Sequence, residues 1–247
     1  MDNFIRNQNG DDMKNKLIYQ ILSWEALDEE IENYGSESEE ETVKDMRYHI
    51  YAFGVNESGE SVCVRFENYK PYFFVLVPDK FQSTFDEYKK KELERYVRNK
   101  LFKNRDDLES VSIVRRKKYD GFTNEKAYTF VRFVCKNLNT FNRIKYMLNP
   151  KDKSKLPKIT NIDKANPLKF DLYETNIEPY IRFTHKMNIT MAGWVQVINL
   201  THDNDISRCQ HSYSVNYSNV KSYDKQDVCN MTIGSWDIEA FSHRSRY

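Results

Sequence analysis

A chain of 247 residues with 17 Tyr and 15 Phe has the apolar material for a core, which excludes disorder throughout, and 7 Gly and 6 Pro are too few for a fibrous or low-complexity protein. The formal net charge of +1 excludes any argument from overall charge to a polyanionic partner. The longest clean apolar run, Tyr72 to Val77, is far short of a membrane span, and the N-terminus lacks a signal-peptide apolar stretch. The expectation is an intracellular protein with no membrane partner.

In chain order, Met1 to Asn15 is polar and reads as a frayed N-terminus. Lys16 to Trp24 reads as a strand with Leu17, Tyr19 and Ile21 on one face. Asp28 to Glu41 reads as an acidic loop. Arg47 to Val55 alternates, with His49, Tyr51, Phe53 and Val55 against polar or small neighbours. Asn56-Glu57-Ser58-Gly59 is a turn, and Ser61 to Glu67 returns as a strand with Val62, Val64 and Phe66 on one face, so the pair forms a hairpin. Pro71 opens an aromatic strand that ends at Pro78.

The period then changes. Phe81, Phe85, Tyr88, Tyr96, Val97 and Leu101 fall at helical spacing and read as a core face. Val111 to Arg115 and Ala127 to Cys135 are strands joined through Tyr119-Asp120-Gly121-Phe122. Leu138 to Leu148 is an amphipathic helix stopped by Asn149-Pro150. Pro150 to Pro167 reads as a lysine-rich linker or long loop. Tyr173 to Asn188 reads as a third helix, capped by Thr175 with Glu178 three residues on. Gly193 to Leu200 and Tyr213 to Tyr217 are further strands. This order of elements predicts an α+β fold rather than a parallel α/β sheet.

The charge is distributed in blocks. Tyr19 to Asp45 carries ten acids and one base, Arg98 to Lys118 eight bases and three acids, and Asn142 to Lys169 eight bases and two acids. Basic faces with Tyr and Phe nearby suit a phosphate backbone and stacked bases; the competing reading is an ordinary solvated surface. The four cysteines, Cys63, Cys135, Cys209 and Cys229, are widely spaced and read as reduced thiols. His202, Cys209, His211 and Cys229 match no common zinc spacing.

The catalytic candidate lies near the end of the chain, in Gly234-Ser235-Trp236-Asp237-Ile238-Glu239-Ala240-Phe241-Ser242. If Trp236 to Ala240 is a strand, Asp237 and Glu239 share one face and Trp236 and Ile238 enter a core. Two carboxylates on a rigid strand suit a two-metal phosphodiesterase site, yet hard cations want six or more oxygen ligands, so further ones must come from elsewhere. The Asp-x-Glu pattern also occurs at Asp28/Glu30 and Asp107/Glu109, but only the third pair is flanked by apolar and small residues.

Four segments together resemble the N-terminal part of family B DNA polymerases, above all those of large eukaryotic DNA viruses. They are Ile18 to Trp24, Tyr48 to Pro78, Tyr173 to Val197, and Ile233 to Glu239, the last resembling the family's first exonuclease motif with Trp236 where the family usually has Phe. The resemblance implies an RNA-recognition-like N-terminal domain followed by the first strand of an RNase H-like 3′→5′ exonuclease domain. It implies a flexible segment at 1–15, an N-terminal domain at 16–170, a connecting helix and strands at 171–230, and a truncated start of the exonuclease at 231–247. It assigns Asp237 and Glu239 as catalytic ligands of Mg²⁺ or Mn²⁺. The implied partners are single-stranded DNA and primer-template, the rest of the polymerase, and a sliding clamp reached through a C-terminal region absent here. For a virus, the host nucleus or a cytoplasmic viral factory would be the compartment.

The resemblance therefore implies the front of a DNA-directed DNA polymerase, not catalytic alone. The alternatives are a stand-alone nucleic-acid-binding or interaction module, or a split-polymerase subunit completed in trans. A free-standing exonuclease is disfavoured by its shortage of metal ligands. Truncation also predicts a mobile Thr232 to Tyr247, with Trp236, Ile238 and Phe241 lacking part of their packing.

Overall fold

The computed structural model describes residues 15–31, 45–118, 121, 123–230 and 234–238. The frayed start, the acidic stretch from residue 32 to 44, Glu239 and the rest of the C-terminal segment lie outside the described residues. In chain order the elements are β1 (Lys16–Glu30), β2 (Met46–Asn56), β3 (Ser61–Glu67), β4 (Tyr72–Leu76), α1 (Glu87–Leu101), β5 (Leu108–Lys117), β6 (Ala127–Cys135), α2 (Leu138–Leu148), β7 (Asp171–Tyr173), α3 (Pro179–Met187), β8 (Gly193–Ile198), β9 (Thr201–His202), β10 (His211–Asn216) and β11 (Val220–Ser222).

They form a mixed α and β fold with two sheets among the described residues. The larger runs β11-β8-β1-β2-β3-β10-β9 and the smaller β5-β6-β4-β7. Every pairing is antiparallel except β10 against β3. Segment 171–230 contributes strands to both sheets, so residue 170 does not divide them.

The larger sheet buries Tyr19, Ile21, Ile50, Val64 and Phe66 against Phe183 of α3. Between Ile21 and Ser23 the register of β1 against β2 shifts, a bulge that leaves Leu22 43% exposed. The extra residue changes the phase of the strand, and Trp24 and Ala26 then pack on the core side. Beyond the expected end at Trp24, β1 runs to Glu30, so Asp28 to Glu30 are strand, not loop.

The alternation of β2 resolves into a core face and an outer face. Tyr48, Ile50 and Ala52 join the core, while His49 and Tyr51 lie opposite with Arg65. Glycine at position 54 is required by space: a Cβ on Gly54 would lie 2.0 Å from the Gln20 carbonyl oxygen and 2.8 Å from the Tyr19 ring. The hairpin between β2 and β3 is as expected, with the Gly59 N–H donating to the Asn56 carbonyl (3.1 Å) and Gly59 at φ 84°.

The smaller sheet carries α1 and α2 on one face. Phe73, Val75, Val131 and Phe133 meet Leu93, Val97, Phe141 and Ile144 there. α1 begins at Glu87, later than the spacing suggested, because Asp86 caps it by accepting from the Lys89 N–H at 3.0 Å. Phe85 still reaches the core, but Tyr88 is 58% exposed. Asn137 caps α2 through the Thr140 N–H (2.8 Å). The stretch from 150 to 167 is a long loop and not a loose linker: it docks Ile159 and Ile162 into this core, with Leu168 and Phe170 just beyond it. α3 starts at Pro179 with no side-chain cap, and Ile177 stays outside it. Proline at the first helical position loses no needed donor, which fixes the start there and not at Thr175.

Among the described residues no helix is long and apolar enough to cross a membrane.

Candidate nucleic-acid interface and the carboxylate motif

The face of the smaller sheet turned away from α1 and α2 is both aromatic and basic. Strand alternation puts Tyr72, Phe74 and Leu76 of β4 on it, beside Tyr128, Phe130 and Arg132 of β6, Arg116 of β5 and Tyr173 of β7. The rings form an edge-to-face row: Tyr72–Phe74 at 5.8 Å, Phe74–Phe130 at 6.4 Å and Phe130–Tyr173 at 5.3 Å between centroids. A cavity of about 400 Å³ is lined by Tyr72, Phe74, Phe130, Tyr173, Arg116, Lys117, Lys118 and Glu174.

Cations roof the rings. Arg116 lies 6.0 Å over Phe74, and Lys118 and Lys126 lie 4.4 and 5.1 Å over Tyr128. Tyr72 is held by Arg132 at 4.2 Å and Arg182 at 4.4 Å. Arg182 is itself fixed. It donates to the carbonyls of Tyr72 and Glu174, both at 3.0 Å, and pairs with the Glu174 carboxylate, so α3 is tied to the edge of this sheet. The Arg132 Nε is buried with no partner.

Each cation–π contact is worth about 0.5–1 kcal/mol at an exposed site, whereas stacking a base on a protein ring is worth about 1–3 kcal/mol. This surface was not singled out by sequence. Its signal was the period-two run Tyr128-Phe130-Arg132 facing Tyr72-Phe74, recognisable only once the pairing of the strands is known.

The carboxylate motif forms no strand among the described residues, and its apolar residues are unpacked as truncation predicts. Gly234 to Ile238 has no regular secondary structure. Trp236 is 81% and Ile238 72% exposed, so neither enters a core. No strand among the described residues pairs with this stretch, and a strand cannot form without a partner for its N–H and C=O groups. Asp237 is exposed and accepts from the Ile238 N–H at 2.8 Å. Glu239 lies outside the described residues.

The other two Asp-x-Glu pairs serve the fold. Asp28 accepts from the N–H groups of Leu138 (2.7 Å) and Asn139 (2.9 Å), capping α2 from the larger sheet. Asp107 is buried and accepts from Asn104 at 3.2 Å, while Glu109 pairs with Lys70, which holds its carboxyl below the usual range.

Among the described residues no three His, Cys, Asp or Glu gather as a metal site. His202 packs on Tyr213 at 4.6 Å, and His211 contacts Glu60 at 3.0 Å, so the zinc set is not assembled. The four cysteines are free, and burial pushes the Cys63 thiol up to about 11. Asp237 alone does not satisfy a divalent cation that wants six or more oxygens.

Residues 170–246 match the family described as DNA polymerase family B, exonuclease domain. The chain is 31% identical over 235 residues to a DNA polymerase of Pyramimonas orientalis virus, covering 94% of this chain and 18% of that protein. It is 28% identical over 232 residues to a DNA polymerase of Acanthamoeba polyphaga mimivirus, covering 90% of this chain and 13% of that one. Among solved structures, the family B DNA polymerase of Pyrobaculum calidifontis is similar at a TM-score of 0.47 and 14% identity, over 79% of this chain and 19% of that one. The chain thus spans less than about a fifth of the length of the two viral relatives. On the match at residues 170–246 and the viral alignments along nearly all of its length, the chain belongs to the family B DNA polymerases.

Proposed function

We propose that this chain grips single-stranded template DNA with the aromatic face of its smaller sheet, within a DNA-directed DNA polymerase. The observation that carries the reading is the cation-roofed row of Tyr72, Phe74, Phe130, Tyr173 and Tyr128 on the sheet face away from the helices, where Phe74 and Phe130 are 8% and 3% exposed and Tyr72, Tyr128 and Tyr173 are partly buried beside them. A second observation supports it. From β4 to β7 the order is strand, helix, strand, strand, helix, strand, with the sheet antiparallel and both helices on one face. That is the order of ferredoxin-like and RNA-recognition-like modules, which stack bases on sheet aromatics.

Asp237 and Glu239 are, in this reading, the first two ligands of the divalent metals, Mg²⁺ or Mn²⁺, of a 3′→5′ exonuclease, with the remaining ligands supplied from elsewhere in the polymerase. The family match over residues 170–246 supports that role. When bound, such metals activate water and stabilise the leaving oxygen of a phosphodiester. Primer-template DNA is the substrate of the whole enzyme in this reading.

The test is fluorescence anisotropy with a labelled single strand. Tyr128→Ala is expected to weaken binding by about 1–3 kcal/mol, and Arg116→Gln with Lys118→Gln to lower the slope of log K against log salt by about 1.4, at roughly 0.7 per phosphate contact. Unchanged affinity and slope in both variants would remove the sheet face as the binding surface.

A further inference from the structure

The lysine-rich strap between α2 and β7 is a second charged surface, distinct from the aromatic face. It is not a loose tether. Ile159, Ile162, Leu168 and Phe170 are 6%, 7%, 1% and 1% exposed, all in the core beneath α1 and α2. The Leu168 N–H donates to the Pro157 carbonyl at 2.7 Å, and Asn161 donates to Glu92 of α1 at 2.6 Å. The strap therefore lies with α1 on the helical side of the smaller sheet.

Its two acids are consumed locally. Asp152 accepts from the Ser154 N–H at 3.0 Å and its hydroxyl at 2.8 Å, with Lys155 nearby. Asp163 pairs with Lys80 and accepts from the N–H groups of Ala165 and Asn166. Lys151, Lys153, Lys158, Lys164 and Lys169 are left exposed, and among the described residues their ammonium groups have no ion pair or hydrogen bond. Five unneutralised cations held on a fixed frame repel one another, and a polyanion relieves that repulsion with little ordering cost.

We infer that this strap binds the phosphate backbone of double-stranded DNA. No ring is exposed along it: its one aromatic, Phe170, is buried. It can therefore offer charge but no stacking platform. Charge alone favours the duplex, which carries about one phosphate per 1.7 Å of axis against about one per 3.4 Å for a strand. The strap goes beyond the proposed single-strand site and stands or falls separately from it.

The test compares a short blunt duplex with one of its strands, using the full chain and a variant with all five lysines changed to Gln. A second variant carries Arg at the same five positions. With thermal unfolding unchanged, the Gln variant is expected to bind duplex at least tenfold more weakly. Its slope of log K against log salt should fall by up to about 4.5, at roughly 0.9 per contact, while single-strand binding changes less than twofold. The Arg variant should retain duplex binding. Equal duplex affinity in the Gln variant, an equal loss for both nucleic acids, or a loss of polyglutamate binding without loss of duplex would each overturn the inference. Arg116→Gln with Lys118→Gln, which tests the sheet face, should leave duplex binding through the strap intact.

Discussion

At the residue scale the chain separates its carboxylates by what surrounds them. Asp28 and Asp107 spend their oxygens on N–H, amide and hydroxyl donors of the fold, and Glu109 on Lys70. Among the described residues Asp237 makes one local hydrogen bond and stands exposed between two exposed apolar side chains. A carboxylate so placed contributes little to folding and is free for a ligand. In a complete family B polymerase carrying these residues, Asp237→Ala is expected to slow metal-dependent 3′→5′ digestion by at least about 100-fold. Losing a ligand should exceed the roughly 10–100-fold effect of losing an outer hydrogen-bond partner. Polymerisation should continue. Digestion at the original rate would remove Asp237 from the site.

At the element scale the structure is held together by contacts between the sheets. α2 packs on the smaller sheet, yet its first N–H groups are satisfied by Asp28 of the larger one. Asp28→Ala should therefore cost about 0.5–2 kcal/mol in urea unfolding, and Asp28→Asn less; no change in midpoint would show that the cap is idle. Element by element, legibility followed period and length. Ala127 to Cys135 and Leu138 to Leu148 were readable to the residue because alternation or helical spacing persists through each. β7, β9 and β11 span three, two and three residues, too short to show a period. The alternation of β2 was legible but did not say which face is inner, since His49, Tyr51 and Phe53 on one side compete with Tyr48, Ile50 and Ala52 on the other. The tight approach of Gln20 and Tyr19 requires glycine at position 54 on that side. The bulge at Leu22 left no mark in composition, and the strap's anchors at Ile159, Ile162, Leu168 and Phe170 follow no period.

At the scale of the whole molecule, the two sheets arise from pairings distant in sequence. β1 lies between β2 and β8, and β10 closes against β3 in parallel. Hydropathy along one chain does not encode which strands meet, so the aromatic face remained hidden although each of its residues was in view. The carboxylate motif was the reverse case: visible as a pattern and as a resemblance, while its strand is not formed among the described residues. The molecule presents two basic surfaces with different chemistry, one with rings and one without. That difference predicts a division of labour between single strands and duplex.

The most direct test of the sheet face is photo-crosslinking of the chain to a single strand carrying 5-iododeoxyuridine, with the adducts located by mass spectrometry. The account predicts adducts at Tyr72, Phe74, Tyr128, Phe130 or Tyr173. Adducts confined to the larger sheet, or to the lysine strap, would contradict it.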